Sequence, residues 1–381
     1  MFNEAQKIHD CDRHLIEPNK VWSEYVATKY YKRSPVELRL ALQKGITPSA
    51  GSKTNTSEYF IAGKPVLDNW TDTLLSGTRD QSDELADNLH QTISGSSQLT
   101  SMDKSGIYSA SIFPTFTGYI VNHNAVDSET SIAYAQGYNN WLEDYCDADK
   151  NRLIPVGVIS RHDPSTMVNQ LETILEKGWK NITLRPEPIQ GLTLGDPSYE
   201  HFWQCCAEHN VSVSLHGGTH LAQPDVAGKQ RFNTRFAMHA CSHPMEIQMA
   251  FLSLLDSGVL EKNPTLKIAF LEAGASWLPS WLWRLDNICY PEFPSLIKNH
   301  ITMLPSEYFK RNCWITIEIG EPCLDEVIKI IGVEKLLYGS DFPHMDHIQF
   351  DLNGNLTEKF QLKEEEISII LNQNATNFFT I

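Results

Sequence analysis

Asp12 and His14 stand two residues apart in the stretch Ile8-His9-Asp10-Cys11-Asp12-Arg13-His14-Leu15-Ile16-Glu17-Pro18. In an extended strand, residues i and i+2 project to the same face, so this spacing aims one carboxylate and one imidazole at a common point. That pair is half of a divalent-metal site. His216, after the apolar run 211–215, and Asp341, after 336–340, each follow a strand-like segment and supply the other half. Two imidazole nitrogens and two carboxylate oxygens suit one divalent ion, zinc first, with manganese or iron as alternatives, and a catalytic site leaves a position open for water or substrate. Such an ion lowers the pKa of bound water or polarises a substrate oxygen, and Asp341 at its edge is placed to take a proton. Each residue also has a plainer reading. Asp-x-His at a strand end caps a turn, a His after an apolar strand is a satisfied core residue, and Ser340-Asp341-Phe342-Pro343 is a turn or helix cap. The conjunction of the first, fifth and eighth strands favours the metal. On the same face rule Cys11 points away from the pair, while His9 and Asp10 fall outside the site. Glu17 either hydrogen-bonds His14 from behind or starts a helix before Pro18.

Bringing these residues together requires strands that end at one rim. From Ile8 onward, eight strand candidates alternate with helical stretches: the first, then 107–113, 153–159, Asn181–Leu184, 211–215, 266–271, Cys313–Ile317 and 335–338. Helical spacing runs through Ser128–Cys146, 163–178, 199–208, 243–258, 277–288, Leu324–Ile331 and 363–371, with Asp163-Pro164 and His243-Pro244 as start signals and Gly178 as a C-cap. Short apolar strands without polar alternation belong to a parallel sheet covered on both faces. The expected fold is α/β, a (β/α)8 TIM barrel in one domain spanning 1–381. A doubly wound open sheet shares these patterns, but no G-x-G-x-x-G follows the first strand. A barrel would gather Asp12, His14, Arg185, His216, Glu272, Glu318 and Asp341 at one mouth. The segment 19–102, long and rich in Ser, Thr and Gly in places, is expected to be an insertion that shapes the substrate site as a lid.

A formal net charge of −16, with 41% hydrophobic and 20% charged residues, argues against nucleic acid and anionic membrane as partners. The N-terminus lacks a basic start followed by an apolar run, which makes a cytoplasmic location the default. Eight cysteines without a C-x-x-C pair support neither a disulfide framework nor a cysteine zinc site. Trp277, Trp281, Trp283 and Tyr290 crowd one helix and suggest a subunit interface or lid contact.

The chain resembles the amidohydrolase superfamily, and within it the amidohydrolase-related (Amidohydro_2) subgroup around aminocarboxymuconate semialdehyde decarboxylase. The residues carrying the likeness are Asp12-Arg-His-Leu-Ile-Glu-Pro18, Phe113-Pro-Thr, Leu215-His-Gly-Gly218, His243-Pro-Met, Gly258-Val-Leu-Glu-Lys-Asn-Pro-Thr-Leu-Lys267, Phe270-Leu-Glu-Ala-Gly274, Trp277-Leu-Pro and Tyr338-Gly-Ser-Asp-Phe-Pro-His344. The resemblance implies a distorted barrel with one catalytic divalent metal, a homodimer or larger assembly, and either hydrolysis or non-oxidative decarboxylation of a small molecule. It assigns Asp12, His14, His216 and Asp341 to the metal. Two departures stand out. The first strand carries Asp-x-His where many members have His-x-His, and Glu272 stands where the decarboxylases have a water-activating His. The acidity gathered by Asp12, Glu272, Glu318 and Asp341 leans the expectation toward hydrolysis of an amide, lactone or related bond by a metal-activated water, with Asp341, Glu272 and His216 catalytic. Arg185 would clamp a substrate carboxylate or else pair with Glu187 or Glu272, and Glu318 and His344 would contact substrate. Decarboxylation of an aromatic or unsaturated acid is the alternative. A barrel that binds a ligand without turnover is the third reading.

Overall fold

A computed structural model describes residues 7–18, 20–33, 36–40, 57–61, 64–65, 90–218, 226–232, 235–292, 297, 299–318, 320–344 and 356–379. The fold is α/β with parallel sheets. Strand β1 is His9–His14; β2 (Val36–Leu40), β3 (Ser57–Ile61) and β4 (Lys64–Pro65) form a separate antiparallel sheet within the segment after it. The remaining strands are β5 (Ser109–Phe113), β6 (Leu153–Pro155), β7 (Gly157–Val158), β8 (Asn181–Leu184), β9 (Ser212–His216), β10 (Lys267–Leu271), β11 (Cys313–Ile317) and β12 (Leu336–Tyr338).

One parallel sheet runs β1-β5-β6 and the other β12-β11-β10-β9-β8-β7, and they meet at two seams. At the first seam the expected strand 153–159 is split in two. Pro155 has no N–H to give the ladder, so β6 pairs with β5 and β7 pairs with β8. Asn139, from the helix Ser128–Cys146, patches the gap: its side chain accepts from Val158 N at 2.8 Å and donates to Val158 O at 2.9 Å. At the second seam Asp341 N donates to Asp12 O at 2.7 Å and His14 N to Phe342 O at 2.8 Å, joining the turn after β12 to β1. The strands therefore follow one another around a ring.

Alternation along the strands separates two apolar cores. Ala269, Leu271, Trp314 and Leu337 face the ring interior with Cys11, Phe113 and Val156, which Ala375, Phe378 and Phe379 of the terminal helix complete. Their neighbours Ile268, Phe270, Ile315 and Tyr338 pack outward against the helices. Local signals account for several helix ends. Asp127 accepts from Thr130 N at 2.9 Å to open the helix Ser128–Cys146, and Asp163 accepts from Ser165 N at 3.0 Å ahead of the helix Met167–Glu176. Gly178, at φ +81°, takes the left-handed position that follows that helix.

Two expectations are corrected. His243-Pro244 does not open a helix; the helix runs Arg235–Asp256 with Pro244 inside it. Cys11 does not point away from Asp12 and His14 but into the ring interior, because the pairing of β1 with β5 slips between Asp10 and Arg13. That bulge resets the alternation.

Candidate metal centre

The bulge in β1 sets the first half of the site. Asp12, within it, and His14, just beyond it, both face the rim, and both are buried. His14 Nδ1 lies 2.9 Å from Pro114 O, at the end of β5. His216 closes β9, and its Nδ1 lies 2.8 Å from Gly217 O. Carbonyl oxygens only accept, so each imidazole carries its proton on Nδ1 and turns the Nε2 lone pair inward. Asp341 follows β12 at φ +49°, a left-handed conformation uncommon for a residue with a side chain.

These four residues converge. One ligand atom from each of Asp12, His14, His216 and Asp341 lies within 4.8 Å of all the others. His14 Nε2 is 2.9 Å from His216 Nε2, 3.1 Å from Asp341 Oδ1 and 3.3 Å from Asp12 Oδ1, and His216 Nε2 is 3.0 Å from Asp12 Oδ1. Two nitrogen lone pairs and two carboxylates facing one another out of water repel unless a cation lies between them. The titration tendencies show the same demand for positive charge. Burial alone would hold His14 neutral, yet its bonds to Asp12 and Asp341 raise its pKa well above the ordinary value. His216 is also raised, burial being overcome by Asp12 and Glu272. Asp12 is lowered despite burial, by His216 and His14. The donor set, two imidazole nitrogens and carboxylate oxygens, fits a divalent metal, and the arrangement is a buried His/Asp metal site.

Around this cluster the other candidates take distinct places. Glu272, buried at φ +60° just past β10, sets Oε2 3.3 Å from His216 Nδ1 and 3.4 Å from His243 Nδ1. Its pKa is lowered: burial and Asp341 raise it, but His243 and His216 outweigh them. His344 reaches Asp341 Oδ1 with Nδ1 at 2.8 Å and Thr115 Oγ1 with Nε2 at 3.0 Å, and its ring centroid is 4.2 Å from that of His14. Arg185 is committed to the scaffold. Its Nε and Nη2 bind both Glu187 oxygens at 3.0 and 2.5 Å, while Nη1 and Nη2 donate to Gly217 O at 2.6 Å and Gly218 O at 2.8 Å. Of the two expectations for Arg185, the geometry matches the ion pair with Glu187. Glu318 lies by the turn after β10, its Cγ 3.3 Å from where a Gly274 side chain would begin. Glu17 caps the helix Phe116–Asn122, accepting from Phe116 N at 2.9 Å and Thr117 N at 2.8 Å.

Sequence reasoning offered Glu187 as one of two partners for Arg185 and placed Asp10 outside the site. The signal for Glu187 was present in Arg185-Pro-Glu187, an Arg and a Glu two apart at a strand end.

The amidohydrolase family model Amidohydro_2 matches residues 10–381. The 2-amino-3-carboxymuconate-6-semialdehyde decarboxylase of Dictyostelium discoideum is 23% identical over 216 residues, which is 56% of this chain and 58% of that protein. The match thus spans a little over half the length of that curated relative. Among solved structures, an amidohydrolase of Mycobacterium avium subsp. paratuberculosis superposes with a TM-score of 0.76 at 22% identity, covering 98% of this chain and 99% of that one. The 5-carboxyvanillate decarboxylase of Novosphingobium aromaticivorans, solved with bound manganese and 3-methoxy-4-hydroxy-5-nitrobenzoic acid, gives 0.71 at 16% identity over 100% and 99% of the two chains. At such identities the structural likeness speaks for the fold, whereas the family model spans almost the whole sequence. The chain belongs to the amidohydrolase family.

Proposed function

We propose that the protein is a metal-dependent carboxy-lyase that removes CO2 from a small aromatic or unsaturated carboxylic acid. The observation that carries this reading is the pairing of acid with imidazole at the rim. Asp12 lies against His14 and His216, Glu272 against His216 and His243, and Asp341 against His14 and His344. The sequence suggested unbalanced acidity hostile to an anionic substrate. An imidazole faces each of Asp12, Glu272 and Asp341, and a divalent ion held by Asp12, His14, His216 and Asp341 would offset two of their three negative charges and offer a substrate carboxylate a coordination position. The relatives whose names record decarboxylation of carboxylic acids support the same choice.

A bound divalent ion supplies Lewis-acid polarisation of substrate oxygens. The chain's own residues do the rest. His14 and His216 keep their Nε2 atoms inward because Pro114 O and Gly217 O hold their Nδ1 protons. When the carboxyl–carbon bond breaks, its electron pair stays on the substrate carbon, which must take up a proton. Asp341, bonded to His344, and Glu272, bonded to His243, stand as carboxylates and would each take up a proton from solvent and pass it to that carbon. The metal is Zn2+ or Mn2+; manganese is the ion recorded with the Novosphingobium structure. We further read the ring as a (β/α)8 barrel of one domain with 19–102 as an insertion, of which 19, 34–35, 41–56, 62–63 and 66–89 lie outside the described residues. Gln98, from the helix Gly95–Ser105, supports this by donating to His14 O at 3.0 Å.

Hydrolysis keeps one specific observation, the buried Glu272 carboxylate beside His216, where it could activate water. Incubating the Mn2+- or Zn2+-loaded protein with a panel of hydroxybenzoates and unsaturated acids separates the two. The expected result is CO2 and the decarboxylated product. Turnover of amides or lactones to acid, with no CO2 from any carboxylic acid, would reverse the assignment.

A further inference from the structure

We infer that Asp10, on the far side of β1 from the metal site, is a positioning residue that aims two of the metal ligands at once; the inference rests on the metal reading above. Its carboxylate is fully buried and takes donors from two segments. Oδ1 accepts from Asp12 N at 3.2 Å and from Ser340 N at 2.9 Å; Oδ2 accepts from Ser340 Oγ at 2.5 Å and from Arg13 Nη1 at 3.3 Å. Asp12 and Asp341, the residue after Ser340, are both in the metal cluster.

The bulge explains why such a group is needed. Slippage between Asp10 and Arg13 turns Asp12 toward the rim, and Asp10 Oδ1 takes the Asp12 N–H within it. Across the seam, the two bonds to Ser340 pin the start of a turn that must hold Asp341 in a left-handed conformation. Ser340 Oγ also accepts from Phe342 N at 3.1 Å, which extends the tie through that turn. Arg13 secures Asp10 from outside, with Nη2 donating to Ser101 Oγ at 2.8 Å and its guanidinium 4.4 Å over the Phe342 ring. A carboxylate in this place offers acceptors on both oxygens. An amide presents donors where Ser340 and Arg13 already donate.

The test is Mn2+ affinity of the full-length, chelator-stripped protein, read from the electron paramagnetic resonance signal of free Mn2+. Wild type should bind one Mn2+, D10N should bind it about 10- to 100-fold more weakly, and S340A about three- to tenfold more weakly. Thermal melting of the metal-free variants reports any purely structural loss. Wild-type affinity in D10N and S340A, with or without a lowered melting temperature, would overturn the inference and leave the metal site standing. If D10N does not fold, S340A decides by the same criterion. Failure of wild type itself to bind Mn2+ or Zn2+ would instead sink the metal reading on which it rests.

Discussion

Glu187 and Arg185 form a buried ion pair whose two carboxylate oxygens and guanidinium are matched in a fork. Through Gly217 O, the same guanidinium touches the carbonyl that orients His216. Removing one charge of a buried pair strands the other, at a cost of about 3–5 kcal/mol. E187A should therefore lower unfolding stability by about that amount in urea titrations. A change under about 1 kcal/mol would mean the pair is not desolvated as described. Glu321 offers a pH test apart from the metal. Burial pushes its carboxyl up to about 7, against backbone N–H bonds from Ala275 and Ser276 that favour the charged form. Unfolded, it titrates near the ordinary 4.5. Between those values the folded chain holds a proton the unfolded chain has released, so this group makes stability fall as pH rises from about 4.5 to about 7. E321Q should flatten that part of the stability–pH curve, and an unchanged slope would refute the assignment.

At the scale of elements, the join between β12 and β1 concentrates the structural demand. A Cβ on Gly339 would lie 2.6 Å from Asp12 Cβ, closer than carbon atoms can pack. G339A should push the Asp341 turn off β1 and cost both stability and metal affinity, measurable as a lower melting temperature and a weaker Mn2+ dissociation constant. Unaltered values for both would show that the seam has slack. Much of this level was legible in the residues. Asn181–Leu184, Cys313–Ile317, Ser128–Cys146 and Leu324–Ile331 are where apolar spacing put them, because the two strands are buried throughout, the two helices bury residues at helical spacing, and Asp127 and Gly332 mark helix ends. The β1 bulge was not legible. It comes from pairing with β5 and from a carboxylate accepting an N–H two residues on, neither of which leaves a periodic trace. Likewise, Pro155 split a strand that hydropathy alone read as continuous.

Over the whole molecule, the ring brings together residues as far apart as Asp12 and Asp341, and the four proposed ligands were recoverable from types and strand-end positions alone. Their supports were legible only in part: the Arg185–Glu187 pair was one of the alternatives the residues offered, whereas the bonds of Glu17 and Asp10 depend on which turns lie side by side after closure. The direction of the chemistry also needed the whole. Acidic residues counted along the sequence suggested an anion-averse site, whereas the folded rim sets an imidazole against Asp12, Glu272 and Asp341. The most direct test of the account is a crystal of the Mn2+-loaded protein with data collected at the manganese absorption edge. The account predicts an anomalous peak enclosed by Asp12, His14, His216 and Asp341. A map with no peak there, or with the ion bound elsewhere, would contradict it.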